Sequence, residues 1–279
     1  MTAKEILEAA ECLARENGAE ATPWDARLLL AHALGGRNPL SLDARLELEA
    51  RDEAKFRALW ARRVAGEPVQ HLLGEWDFYG RPFRVDRRAL VPRPETEVLA
   101  AAALAEAPGS RRAIDLGTGS GVLAITYLLE KPEARAVAVD ASLEALALSR
   151  TNAARHGALP RLSLAAADWV SSIGRARFDL AVSNPPYLAR SERAALPKTV
   201  RDHDPERALF AGEDALAAIR HLLNELPRLL ESDAPFLFEI GYGQSEPVSR
   251  EIAGRPQWRF VRIDPDLNGI PRVAVARRN

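Results

Sequence analysis

The sequence predicts an α/β protein: a small all-helical N-terminal domain, then a mostly parallel sheet with helices on both faces. Three observations predict it. Residues 1 to about 66 carry apolar side chains at helical spacing. From residue 111 onward, short apolar runs alternate with helical patterns, the mark of a doubly covered parallel sheet. A glycine-rich turn, Gly117-Thr118-Gly119-Ser120-Gly121, stands directly after the first of those runs. The expected domains are 1–70 (helical), 71–95 (hairpin and linker) and 96–279 (sheet domain).

In chain order, "AKEILEAAECLARENG" puts Ile6, Leu7, Ala10 and Leu13 on one helix face, with Gly18 as a C-terminal cap. "TPWDARLLLAHALGG" opens with Thr22 as N-cap, Pro23 at the first helical position and Asp25 three residues after the cap. "DEAKFRALWARRVAG" spaces Phe56, Leu59, Trp60 and Val64 as a third helix, and such stripes read as core. "EWDFYGRPFRVD" alternates and turns at Gly80, a hairpin, and Pro94 starts a helix through "ETEVLAAAALAEA". The strands expected beyond are "RRAIDL", "ARAVAVD", "RLSLAAA", "FDLAVSN", "APFLFEI", "WRFVRID" and "RVAVAR", with helices over 121–130, 142–156, 213–231 and 244–253. Only "PDLNGIP" separates the last two strands, so they pair antiparallel.

Composition narrows the possible functions. The 279 residues are 47% hydrophobic and 28% charged, an ordinary globular mixture, and the net charge of -1 offers no general attraction to nucleic acid or anionic lipid. Residues 1–70 hold ten Lys/Arg against twelve Asp/Glu, and the basic residues Arg272, Arg277 and Arg278 read as a solvated tail. Cys12 is the single cysteine, which excludes an internal disulfide and fits a reducing compartment. The five histidines are scattered, with no metal-ligand spacing, and "DHDPE" (202–206) reads as a loop of solvated charge, so no metal site is expected. No leader peptide or membrane-spanning run is visible, and the expected location is the cytoplasm.

The glycine turn and its acid point to a cofactor. Glycines after a strand let the backbone turn sharply against a ligand, with the next helix N-terminus facing it. Asp140 ends the following strand, where an acid accepts bonds from ribose hydroxyls. A dinucleotide site wants a third glycine at position 122, which is Val122; G-x-G-x-G after Asp115 suits instead S-adenosylmethionine, a nucleoside without a pyrophosphate. Asp168 and Trp169 follow the third strand of this region and suit an adenine pocket, a helix cap and a core side chain being the plain alternative.

The run "FDLAVSN" ends in Asn184-Pro185-Pro186-Tyr187, a stiff corner at the edge of the sheet where ligands bind. Asn184 precedes proline, which biases its backbone to extended geometry and so sets its side-chain direction. The Asn184 oxygen and the Pro185 carbonyl are two acceptors beside an aromatic wall, Tyr187. That set suits an –NH₂ group on planar carbon, with positioning carrying most of the rate.

These residues carry a resemblance that narrows the choice. With "WDARLLLAHALG", "EPVQHLLGEWDFYGRPFRV", "LVPRPETE", "DLGTGSG", "SNPPYL", "DPERALFAGEDAL" and "FEIGYGQ", nearly the whole chain resembles the HemK/PrmC family of protein-(glutamine-N5) methyltransferases. The resemblance implies a seven-stranded, Rossmann-like S-adenosylmethionine-dependent methyltransferase domain behind a helical domain that grips the substrate. It implies methylation of the glutamine of the Gly-Gly-Gln motif in class I peptide chain release factors, with no nucleic acid partner. By motif match, Gly117, Thr118, Gly119, Ser120, Gly121, Asp140, Asp168, Trp169 and Asn184 hold the cofactor, and Asn184 to Tyr187 hold the glutamine amide. Arg93 and Glu95 belong to the signature without a chemical role derivable from the residues. An N6-adenine or related nucleic-acid methyltransferase is the alternative; it would need a basic face for phosphates. A scaffold that binds the cofactor without catalysis is opposed by the intact corner. A monomer is the simplest expectation.

Overall fold

The computed structural model describes residues 1–171, 173–174 and 177–279. The chain forms two compact units: Met1–Glu75 with Ala194–Asp204, and Trp76–Arg193 with Pro205–Asn279. Residues 194–204 thus join the N-terminal unit, whereas the sequence pattern assigns them to the sheet domain.

The first unit contains α1 (Ala3–Glu16), α2 (Pro23–Ala33), α3 (Ala50–Val64) and α4 (Val69–Leu73). Capping boxes start two of these helices. Thr2 and Glu5 exchange bonds at α1, and at α2 Thr22 N donates to Asp25 Oδ2 (2.9 Å) while Asp25 N donates to Thr22 Oγ1 (3.1 Å). Ile6, Leu29, Leu30, Phe56 and Trp60 form the core, and the buried Trp60 indole donates to the Ala10 carbonyl (3.0 Å). Gly18, at φ +57, follows the end of α1 as the cap pattern anticipates.

In the second unit, Glu75 apart, the hairpin is β1 (Glu75–Phe78) and β2 (Arg81–Arg84); its turn residues Tyr79 and Gly80 both have positive φ, the type I′ geometry that matches strand twist. Then follow α5 (Pro94–Glu106), β3 (Arg112–Leu116), α6 (Val122–Glu130), β4 (Arg135–Asp140), α7 (Leu143–Arg155), β5 (Leu162–Ala166) and β6 (Leu180–Ser183). A short β7 (Leu188–Ala189) precedes α8 (Lys198–Arg201, in the first unit) and α9 (Glu206–Leu209). The chain ends with β8 (Phe210–Gly212), α10 (Ala217–Glu225), β9 (Pro235–Glu239), α11 (Ser245–Ala253), β10 (Trp258–Pro265) and β11 (Pro271–Arg278).

A seven-stranded sheet runs β10-β11-β9-β6-β3-β4-β5. β9, β6, β3, β4 and β5 are parallel neighbours, and β11 pairs antiparallel with both β9 and β10. Strand alternation sends Ala113, Ala136 and Val182 to one face, under α5 and α6. Ile114, Leu116 and Phe236 go to the other, under α10 and α11. From β3 the chain first builds outward through β4 and β5, then crosses back to β6. That reversal opens a crevice at the C-terminal ends of β3, β4 and β6.

Three expectations need correction. The helix expected over 213–231 is shorter: α10 stops at Glu225, and Pro227, which lacks an N–H, sits in a 3₁₀ turn over Leu226–Leu229. Arg272, Arg277 and Arg278 are not a solvated tail. They lie in β11, where Arg277 bonds Glu106 (2.7 Å), Arg272 bonds Asp266 (3.3 Å) and Arg278 donates to the Leu230 carbonyl. In "DHDPE", Asp202 pairs with Arg201 but Asp204 is buried. Among the described residues no helix is long and apolar enough to cross a membrane.

Candidate active site

The glycine turn connects β3 to α6. Val139 O accepts from both Gly117 N and Thr118 N (2.9 Å each), which draws the turn onto the end of β4. Gly119 N donates to Asp140 Oδ2 (2.9 Å) and Ser142 N to Asp140 Oδ1 (2.8 Å), so the acid that ends β4 is held at both oxygens. Beneath the turn, Asp115 Oδ2 accepts from Thr118 Oγ1 (2.6 Å) and from Ala124 N (3.2 Å). Asp115 is 1% exposed, and burial pushes its carboxyl up to about 7. Its Oδ1 atom has no hydrogen-bond partner among the described residues.

Each glycine of the turn has positive φ. A Cβ on Gly117 would lie 3.6 Å from the Trp169 ring, whose own backbone is left-handed at φ +54. Trp169 is held in a conformation that non-glycine residues seldom adopt, and its ring lies against the turn. Asn152 of α7 clamps the turn from the side: Nδ2 donates to Ser120 O (2.9 Å) and Arg84 O (3.1 Å), while Oδ1 accepts from Arg84 N (2.8 Å).

These elements line a cleft of about 1000 Å³. Gly117, Thr118, Gly119, Ser120, Asp140, Asp168, Trp169, Asn184 and Pro186 all reach its wall. Gly121, Pro185 and Tyr187 do not. Gly121 is instead the N-cap of α6 at φ +86, Pro185 is buried, and Tyr187 turns back toward β9.

The corner after β6 is tied down from several sides. Ser183 Oγ donates to Leu116 O (2.7 Å), fixing the end of β6 against β3. Asn184 Nδ2 donates to Thr96 Oγ1 (3.1 Å), and Thr96 Oγ1 donates to Glu239 Oε2 (2.7 Å). Tyr187 OH donates to the other oxygen of that carboxylate, Glu239 Oε1 (3.2 Å). Burial pushes the Glu239 carboxyl above the usual carboxylate range, and burial with Glu239 beside it pushes the Tyr187 phenol up. Gln244 Nε2 donates to Tyr187 O (2.8 Å), and Gln244 Oε1 accepts from Gly241 N (2.8 Å). A Cβ on Gly241 would come within 3.1 Å of the Tyr187 ring, so a larger residue there would press on the ring.

Sequence reasoning did not assign Thr96, Asn152, Glu239 or Gln244. Three of them stand inside the stretches "LVPRPETE" and "FEIGYGQ", but nothing local says which side chain they meet. Asn152 gives one faint signal, a carboxamide on the buried face of a helix, which needs hydrogen-bond partners.

A parallel sheet with this reversal, a glycine turn on an acid and an amide-bearing corner over one cleft define an α/β methyltransferase. Residues 95–202 match the Methyltransferase small domain, and residues 5–74 match the PrmC N-terminal domain. A methyltransferase from Pyrococcus furiosus superposes with a TM-score of 0.54 at 13% identity, over 78% of this chain and 96% of that one, a likeness of fold. A release factor glutamine methyltransferase from Cereibacter sphaeroides is 42% identical over 99% of both chains. One from Caulobacter vibrioides is 37% identical over 100% of this chain and 97% of its own. The chain belongs to the family of release factor glutamine methyltransferases.

Proposed function

We propose that this enzyme transfers a methyl group from S-adenosylmethionine to the side-chain amide N5 of the glutamine in the Gly-Gly-Gln motif of class I peptide chain release factors. What supports the reading, beside family membership, is that the glycine turn, Asp140 and Asn184 line one cleft.

The residues fit the cofactor. Asp140 caps β4 with a carboxylate whose oxygens each accept one backbone N–H and retain capacity for ribose hydroxyls. Asp168 and the Trp169 ring offer an acceptor and a stacking face for adenine. Asp115, buried off the cleft wall, braces the turn from beneath through Thr118 and Ala124. When bound, S-adenosylmethionine supplies an electrophilic methyl group on a sulfonium.

Asn184 Oδ1, on the cleft wall, accepts one hydrogen of the substrate amide and holds its nitrogen toward the cleft; the Pro185 carbonyl, next in the chain but not on that wall, is the second acceptor in this reading. Amide nitrogen is a poor nucleophile because its lone pair is delocalised. Two acceptors polarise both N–H bonds and favour the tetrahedral geometry needed for attack. Positioning carries the remainder; the methylated nitrogen is strongly acidic and releases its surplus proton to water, so no strong base is needed beside it. The protein substrate belongs to translation, so the enzyme acts in the cytoplasm, and it acts as a monomer.

The test is to incubate the protein with methyl-labelled S-adenosylmethionine and either a release factor or an oligonucleotide, then map the label by mass spectrometry. Label on the glutamine side chain is expected. Label found only on nucleic acid overturns the reading.

A further inference from the structure

The amide of Asn184 has two ends of similar shape and opposite chemistry. Only the oxygen end serves an –NH₂ substrate; the nitrogen end would repel it. Asn184 is half-buried at the cleft wall, so something must decide which end faces out.

We infer that Glu239 and Thr96 are positioning residues that fix the orientation of the Asn184 amide and anchor Tyr187, an inference that rests on the acceptor role proposed for Asn184. Both are buried: Glu239 is 2% exposed and Thr96 3%. Glu239 meets a donating hydroxyl at each oxygen, and these bonds favour the ionised form, which can only accept, against the burial that disfavours it. Thr96 Oγ1 lies 2.7 Å from Glu239 Oε2 and therefore gives its single hydrogen to it. Having given that hydrogen away, the hydroxyl can only accept. The Asn184 group 3.1 Å from it must then be the NH₂ end, which leaves Oδ1 as the end not tied to Thr96. Polarity is thereby relayed from a carboxylate on β9, through a hydroxyl on α5, to the corner after β6.

The second oxygen of Glu239 extends the control. It accepts from Tyr187 OH at 3.2 Å, so one carboxylate holds both ends of the Asn184–Tyr187 corner. A neutral side chain could not do this. A carboxamide at 239 can accept from one hydroxyl but must donate to the other.

Glu239 is close to further charges. Burial is the largest influence and disfavours its ionised form, Glu95 on α5 disfavours it further, and Arg272 on β11 favours it. Hydrogen bonding from Thr96 and Tyr187 supports the ionised form as well.

The test uses the full chain with a release factor as substrate. It reads kcat for glutamine methylation, the Kd for S-adenosylmethionine by calorimetry and the melting temperature. Thr96→Val keeps the shape and removes the relay. Its kcat is expected to fall by roughly tenfold or more, as misplaced reacting groups do, with the cofactor Kd within about threefold of wild type. Thr96→Ser, which restores the hydroxyl, is expected to recover most of the rate. Glu239→Gln is expected to lose kcat by at least about threefold with little change in Kd. Wild-type kcat in Thr96→Val or in Glu239→Gln overturns the inference, as does a Thr96→Ser protein as slow as Thr96→Val. A loss that appears in cofactor Kd and melting temperature rather than kcat marks a merely structural role and also overturns it. Failure of the functional reading looks different: the wild-type protein itself then leaves glutamine unlabelled.

Discussion

Asp115 carries a measurable consequence at the scale of one residue. Its carboxyl is pushed by burial from the ordinary 3.8 up to about 7, and the nearby Asp140 charge pushes the same way. Between those two values the native protein keeps a proton that the unfolded chain has released. Stability from this group is therefore largest below the ordinary carboxylate pKa and falls as pH rises toward 7. Asp115→Asn holds the position neutral at every pH. In urea titrations at about pH 4.5 and about pH 7.5, wild type should lose stability relative to the variant on going to the higher pH. An equal difference at both pH values would show that the carboxyl is not shifted. The cost is tolerated where it is useful, because the same buried acid holds Thr118 and the start of α6 under the glycine turn.

At the scale of elements, the glycines of the turn are not equivalent. A Cβ on Gly121 would sit 2.4 Å from Ser149 Oγ and 2.9 Å from Ile125 Cδ1, and the residue has φ +86. Gly121 therefore sets how closely α7 approaches the start of α6, and it does not reach the cleft wall. Gly121→Ala should cost about 2–4 kcal/mol, combining left-handed backbone strain with overpacking. Gly119 has φ +55 and its nearest neighbour, Ala89 Cβ, is at 3.6 Å. Gly119→Ala should cost about 1 kcal/mol, from backbone alone. Denaturant melts of the two variants check the order; a more damaging Gly119→Ala would refute it. The sequence assigned one role to the whole turn because glycine spacing reports backbone freedom, not what a missing side chain would strike.

At the scale of the whole molecule, each unit has its own core, and the first is fixed by a buried ion pair. Asp25 Oδ2 accepts from Arg63 Nε (2.9 Å) as well as from Thr22 N, and Arg63 also donates to Glu20 O (2.9 Å). Asp25→Ala would leave the guanidinium buried without its carboxylate, a loss of about 3–5 kcal/mol. Hydrogen exchange should show protection falling in α1, α2 and α3 while β3 and β9 keep theirs. Unchanged protection in α2 and α3 would mean that the pair contributes little. Asp25 was legible only as a helix cap, since its partner lies 38 residues away in sequence.

The sequence by itself determined the order of strands and helices, the antiparallel end of the sheet, the glycine turn on its acid and the proline corner. Each of these is written within a few residues, in period, in turn chemistry or in the missing N–H of proline. Tertiary structure alone decided what the corner touches. Thr96 and Glu239 are 143 residues apart, yet they meet because α5 packs over the sheet and β9 lies beside β6. A buried hydroxyl and a buried carboxylate must find partners, and only the folded chain determines which ones.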